Sequence, residues 1–224
     1  MNQKNSAFTI VEMAVVVFII GLLITGVMAG KNLIEGGRTR AVLGEMDENR
    51  QAMLQFQEKY FDWPGDITNA STYWPGATNA SGPNAGNEQI NWATEGVLMW
   101  HHLELAQMIG QTGFSNTVTP DAIIGSNVPG SKISGAGWFA NYDSVHKNYL
   151  GLGAQRSTNT GVNDSPVIEP KRAYDIDMKI DDGNPTTGLV QSDGSPSADC
   201  YSGTSYNLAN QSPACMMMFT IKTR

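Results

Sequence analysis

Hydrophobic positions are distributed unevenly along the chain. Met13–Gly30 holds eighteen consecutive residues without a charge, close to the length of about 20 residues that a helix needs to cross a bilayer. Beyond it, apolar residues recur at helical spacing, at Val42, Met46, Met53, Phe56 and Tyr60. The pattern predicts one long helix that is apolar on all sides in its first half and amphipathic in its second.

The long helix is predicted to end near Tyr60. Pro64 disfavours helical geometry at the residue before it, and Gly65 follows at once. The next segment, Ile67–Asn91, is rich in Asn, Ser, Gly and Pro. Its composition predicts a long surface loop.

The remainder predicts a second helix and then a sheet. Glu95–Ile109 has a broad apolar face, with Thr94 as its predicted N-cap and Gly110 after its end. Short apolar runs bounded by turn residues predict strands at Lys132–Tyr142, Val145–Leu152, Thr187–Gln191 and Cys215–Ile221. The predicted fold class is α+β, a long helix packed on a small antiparallel sheet, and we take the strands in meander order.

Composition removes several classes of protein. With 41% hydrophobic and 16% charged residues, the chain is unlike a disordered one. The formal net charge is −7, and no basic residue lies between Lys59 and Lys132, so nucleic acid is not an expected partner.

His101, His102 and Glu104 do not predict zinc, because adjacent histidines point about 100° apart on a helix. No nucleophilic or phosphate-binding motif is recognisable, and the chain is not expected to be an enzyme.

The apolar segment has two interpretations. It could be a secretory signal cleaved before Gly30, or a retained membrane helix. Glu12 lies directly before the apolar run, and a carboxylate is costly near hydrocarbon. A residue of this kind needs a partner, which favours the retained helix.

The residues around Glu12 resemble the type IV prepilin processing motif. In that family a short polar leader ends in a small residue, usually Gly, and the mature chain begins with Phe and carries Glu as its fifth residue. Here the sequence AFTIVEM places the scissile bond between Ala7 and Phe8, with Glu12 at the fifth position. Ala7 replaces the usual Gly, so slower cleavage is expected. Ala29 stands where many pilins have a Pro that kinks the helix.

The resemblance implies four parts. These are a leader peptide at residues 1–7, a transmembrane and assembly helix at 8–30, the amphipathic half of the same helix at 31–61, and a globular pilin-like head at 62–224.

The resemblance also implies a structural function. The chain would be a subunit of a type IV pilus-like filament, N-methylated at Phe8 by a prepilin peptidase. Glu12 would neutralise the Phe8 ammonium of a neighbouring copy. The implied partners are other copies or related pilins, the peptidase, an assembly platform and membrane lipid. The precursor would be single-pass in the bacterial inner membrane with its head outside the cytoplasm, and later part of a surface filament or a periplasmic pseudopilus.

Two alternatives remain open. The same motif fits a pseudopilin of a type II secretion system. A membrane-anchored module that binds glycans or surfaces would use aromatic side chains to stack on sugar rings, and the candidates are Trp63, Tyr73, Trp74 and Trp92.

Cys200 and Cys215 are the two cysteines of the chain. In a protein expected to be exported, a disulfide is the simplest outcome, and the position resembles the C-terminal disulfide region of pilins. Two free buried thiols are the alternative.

The densest acidic cluster is a candidate Ca²⁺ site, made of Asp175, Asp177, Asp181 and Asp182. Hard cations prefer several oxygen ligands, and some pseudopilins carry one Ca²⁺ near the sheet. The spacing is not that of an EF-hand, and the alternative is a solvated surface with an Asp-Gly turn. No cofactor is otherwise expected.

Overall fold

The structure is a computed structural model that describes residues 9–117, 119, 121–156, 161–193 and 199–221. The chain divides into two compact units, Met1–Arg38 and Thr39–Arg224. The first helix, α1 (Ile10–Tyr60), contributes residues to both. The second unit contains the sheet and the buried core.

Helix α1 ends at Tyr60, as the sequence predicts. Phe61 adopts a left-handed conformation with φ of 59°, and its N–H donates to the Gln57 carbonyl oxygen at 2.9 Å. This bond satisfies a carbonyl that the helix end would otherwise leave without a partner. Pro64 then lies buried in the turn that follows.

The second half of α1 forms one wall of the core. Val42, Met53 and Phe56 are fully buried, and Met46 and Tyr60 pack partly against the same cluster. The predicted amphipathic stripe is therefore the buried face of the helix.

The sheet is antiparallel with four strands. They are β1 (Ala136–Asp143), β2 (Lys147–Ala154), β3 (Val190–Asp193) and β6 (Met216–Thr220). With the long helix, this antiparallel sheet gives the predicted α+β fold class. The strand order is β1-β2-β6-β3, so the predicted meander order is wrong. The last strand lies between β2 and β3, where its apolar residues are covered on both faces.

A glycine on β2 makes room for an aromatic ring on β1. Phe139 and Gly151 are directly opposite each other, and a Cβ on Gly151 would lie 2.0 Å from Cζ of Phe139. The ring therefore lies over bare backbone, which a side chain at position 151 would prevent.

The second helical region differs from its prediction at both ends. It begins with a π-helical turn, Trp92–Gly96, and continues as α3 (Leu98–Leu105). Asn91, not Thr94, is the N-cap, and its side chain accepts from the N–H of Ala93 at 3.0 Å. The helix stops before Gly110 because Gln107 is already left-handed, with φ of 57°.

The remaining elements are small. A short helix, α2 (Ala70–Tyr73), interrupts the predicted loop, and α4 (Pro170–Ile180) contains part of the acidic cluster. A small hairpin pairs β4 (Tyr201–Ser202) with β5 (Ser205–Tyr206).

Candidate functional site

The beginning of α1 is a reciprocal cap between Thr9 and Glu12. The Glu12 carboxylate accepts from the N–H and from the hydroxyl of Thr9, both at 2.8 Å. In return, the Thr9 hydroxyl accepts from the N–H of Glu12 at 3.2 Å. This is the capping box, which satisfies two donors at a helix start. The sequence contains the signal for this motif, a Thr followed three residues later by a Glu, but we did not predict the cap from it.

The cap changes the expected chemistry of Glu12. One carboxylate oxygen, Oε2, receives both bonds from Thr9, and the side chain of Glu12 is exposed. Ala7 and Phe8 lie outside the described residues, and the pairing of Glu12 with a Phe8 ammonium stays a prediction.

The apolar segment of α1 is exposed throughout. It is long and apolar enough to cross a membrane, and large side chains from Ile10 to Ile34 are about half exposed or more. The one hydroxyl within Met13–Gly30, that of Thr25, donates to the carbonyls of Gly21 and Leu22 at 3.0 Å. A polar group satisfied within its own helix is compatible with hydrocarbon surroundings.

The two cysteines are joined in a disulfide. Cys200 and Cys215 are both buried, and their Cα atoms are 5.0 Å apart. The bond links the start of the β4–β5 hairpin to the residue before β6, so it closes the exposed C-terminal loop against the sheet.

The structure brings together three of the four candidate Ca²⁺ ligands. Oxygens of Asp177, Asp181 and Asp182 lie within 4.8 Å of one another, whereas Asp175 forms an ion pair with Lys171. Each of the three already accepts hydrogen bonds from the protein. The donors are the Tyr206 hydroxyl and Gly183 N–H for Asp177, the Leu189 and Val190 N–H groups for Asp181, and Thr187 and Asn184 for Asp182. The Ca²⁺ site stays a prediction.

The aromatic side chains proposed for sugar stacking are mostly buried. Trp63 and Trp92 belong to the core, and Trp74 packs partly against it. Only Tyr73 among the four is exposed, and it touches the Tyr60 ring with centroids 5.0 Å apart. The aromatic support for a glycan surface is therefore weak.

His102 is a structural residue in the core. Its Nδ1 accepts from the Gly65 N–H at 3.0 Å, and Nε2 lies 2.9 Å from the Thr78 carbonyl oxygen. Burial lowers the pKa of His102 to about 4, so the ring is neutral and donates through Nε2. His101 is directed elsewhere, with Nδ1 3.1 Å from the Phe114 carbonyl oxygen.

Two carboxyl groups, for which the sequence predicts no role, are buried. Asp66, in the turn after α1, accepts from the N–H groups of Gly86 and Glu88 and so holds the long loop in place. Glu95 in the π-helical turn is fully buried, and within the described residues its Oε1 has no hydrogen-bond partner. Burial and the nearby Asp66 and Asp62 carboxylates raise the pKa of Glu95 to about 7.

The N-terminal segment matches the family described as the prokaryotic N-terminal methylation motif, over residues 2–28. No curated protein and no solved structure is significantly similar to the chain. The motif is typical of type IV prepilins and pseudopilins, and together with the apolar helix it suggests a membrane-anchored precursor. It implies processing by a prepilin peptidase and assembly into filaments of pilin type.

Proposed function

We propose that the protein is a structural subunit of a type IV pilus-like filament. It is made as a prepilin in the inner membrane, cleaved between Ala7 and Phe8, N-methylated at Phe8, and assembled through its N-terminal helix. One observation carries the proposal, namely the methylation motif at residues 2–28, which lies on an exposed apolar helix ahead of an α+β head.

The exposed helix supports this function energetically. Monomeric soluble proteins rarely expose contiguous apolar patches of more than a few hundred Å². The side chains of Ile10–Ile34 need lipid before assembly and neighbouring subunits after it. A filament replaces lipid contacts with packing between copies, so the same surface serves both states.

Glu12 supplies the specific contact of the proposed mechanism. Cleavage before Phe8 creates an α-amino group, which stays cationic when methylated. In a filament core that ammonium would pair with Oε1 of Glu12 on a neighbouring copy, while Thr9 keeps Oε2 oriented. Removing one member of a buried ion pair costs roughly 3–5 kcal/mol.

Glu12→Ala is therefore expected to be processed normally but not assembled. Intact-mass analysis of the membrane fraction would show N-methyl-Phe8 as the first residue, and filaments sheared from cells or recovered from the periplasm would be lost. Thr9→Ala is the matched control, because it removes the cap but keeps the carboxylate, and should still assemble. Normal filament yield from Glu12→Ala would refute the pairing, and a mature chain beginning at Gly30 would refute the filament function.

The location of the filaments distinguishes a pilus subunit from a pseudopilin. A surface fibre supports the pilus subunit, whereas a short periplasmic fibre that is required for export of other proteins supports a type II secretion pseudopilin.

A further inference from the structure

In the second unit, Thr39–Arg224, which we call the head unit, one face of α1 is exposed and is not covered by the other residues that the structure describes. Exposed residues recur every three or four positions on the side opposite the buried Val42, Met53 and Phe56. They are Arg40, Gly44, Glu48, Gln51, Gln55 and Glu58. We call this set the outer stripe.

The outer stripe carries three charges, those of Arg40, Glu48 and Glu58, and the two that are opposite in sign and closest together are Arg40 and Glu48. Across the described part of the chain, neither Arg40 nor Glu48 belongs to an ion pair, although other charges on the same helix do. Those pairs follow the usual helical spacing, with Asp47 bonded to Arg50 three residues later at 3.2 Å. No acidic residue lies three or four positions from Arg40, and no basic residue lies three or four positions from Glu48. Lys132 lines the same groove as Glu48 but does not pair with it.

A glycine lies between the two charges. Gly44 is one helical turn from each, and a Cβ added there would meet nothing within 4 Å. The fold of the single chain therefore gives no steric reason for glycine, which costs about 1 kcal/mol relative to Ala within a helix. A small residue on an open helix face allows another helix to approach closely.

We propose that the outer stripe is a contact between copies of this chain, in which Arg40 of one copy pairs with Glu48 of the next. The two residues are eight positions apart on one helix, which corresponds to about 12 Å along its axis. Two parallel copies displaced by that distance bring the charges level, and Gly44 lets the helices come close. The proposal rests on the filament function, and it specifies the partner and the axial displacement of the copies.

Charge reversal tests the contact. Arg40→Glu and Glu48→Arg are each expected to lower filament yield roughly 5–30-fold, because an attraction of the size of an exposed pair becomes a repulsion in every repeat. The double variant Arg40→Glu with Glu48→Arg restores the attraction and should recover most of the yield. Glu58→Arg, on the same stripe but farther along the helix, is the control and should assemble normally. Full yield from both single variants, or no recovery in the double variant, overturns the proposal.

Cross-linking tests the displacement independently of yield. A chain carrying Arg40→Cys and Glu48→Cys should give ladders of cross-linked copies with a short thiol reagent, whereas Arg40→Cys with Glu58→Cys should not. Ladders of equal intensity from both, or ladders from neither, contradict the proposed displacement.

The contact and the filament function are refuted by different results. Filaments that persist in the single reversal variants reject the contact only. A mature chain that begins at Gly30 rejects the filament function itself.

Discussion

At the scale of single residues, the role of a residue depends more on the space around it and on its hydrogen-bond partners than on its residue type. Gly151 exists opposite Phe139 because the ring occupies the place of a side chain. His102, polar by type, is fully buried with both ring nitrogens bonded. Neither role could be predicted from the sequence, since each depends on a residue that is distant along the chain.

Gly151→Ala is expected to lower the stability of the head by about 1–3 kcal/mol, the range for overpacking a core. The added Cβ would lie 2.0 Å from the Phe139 ring, which must rotate or move. Tryptophan fluorescence during urea unfolding of the full chain in detergent measures this, because all five tryptophans lie in the head unit. Gly44→Ala, on an open helix face, should be neutral or slightly stabilising. A loss of the same size in both variants would contradict the steric explanation.

At the scale of elements, local patterns predict helices better than they predict pairing. The apolar stripe and Pro64 predict the end of α1 to within about one residue, and each of the four predicted strands overlaps an observed one. Strand order could not be read from the sequence, because pairing of β6 with β2 is a non-local choice. In α4, apolar residues alternate from Tyr174 to Ile180, which also fits a strand, and only Pro170 at the first turn indicates a helix.

The contact between α1 and the segment before β1 depends on Glu45. Its carboxylate accepts from the Ser131 hydroxyl at 2.6 Å, the Lys132 N–H at 2.8 Å and the Trp138 indole N–H at 3.1 Å. The sequence pattern places Glu45 on a solvent face, because helical periodicity cannot show that three donors converge there.

Glu45→Ala is expected to destabilise the head by about 1–3 kcal/mol, because the indole and hydroxyl donors lose their acceptor. Glu48→Ala removes a carboxylate from the next turn that has no hydrogen bond among the described residues, and should change stability by less than about 0.5 kcal/mol. Urea midpoints of the two variants compare them directly. Equal midpoints would show that the three bonds contribute little.

At the scale of the whole molecule, acidic groups outnumber basic ones, 21 to 14, and some of the acids are buried. Asp177 is fully buried and accepts from the Tyr206 hydroxyl at 2.9 Å. Burial raises the pKa of Asp177 to about 6, as it raises that of Glu95 to about 7. Folding therefore shifts both groups towards their protonated forms relative to the unfolded chain.

The head should accordingly lose stability as pH rises from 5 to 7.5. A carboxyl whose pKa is higher in the folded state stabilises fully below its unfolded pKa, and this stabilisation is lost as pH rises through the folded pKa. For Glu95 the interval runs from 4.5 to about 7, and for Asp177 from 3.8 to about 6. His102 acts in the opposite direction, because its folded pKa of about 4 lies below the ordinary 6.5 and its stabilisation is gained as pH rises to 6.5. We therefore expect the free energy of unfolding to fall by about 1–3 kcal/mol in total, less than the two carboxyl groups would give alone.

The variant Glu95→Gln isolates the larger of the two carboxyl contributions to the pH dependence of the free energy of unfolding. The amide cannot ionise, so the variant should be more stable than the wild type at pH 7.5 and should show a flatter pH profile. Asp177→Asn should remove only the part of the slope below about pH 6, and Glu58→Gln, on an exposed face of α1, should leave the profile unchanged. If Glu95→Gln kept the wild-type slope, the buried carboxyl of the π-helical turn would have to be ionised in the folded protein. Carbon NMR titration of the Glu95 carboxyl would then show an ordinary midpoint.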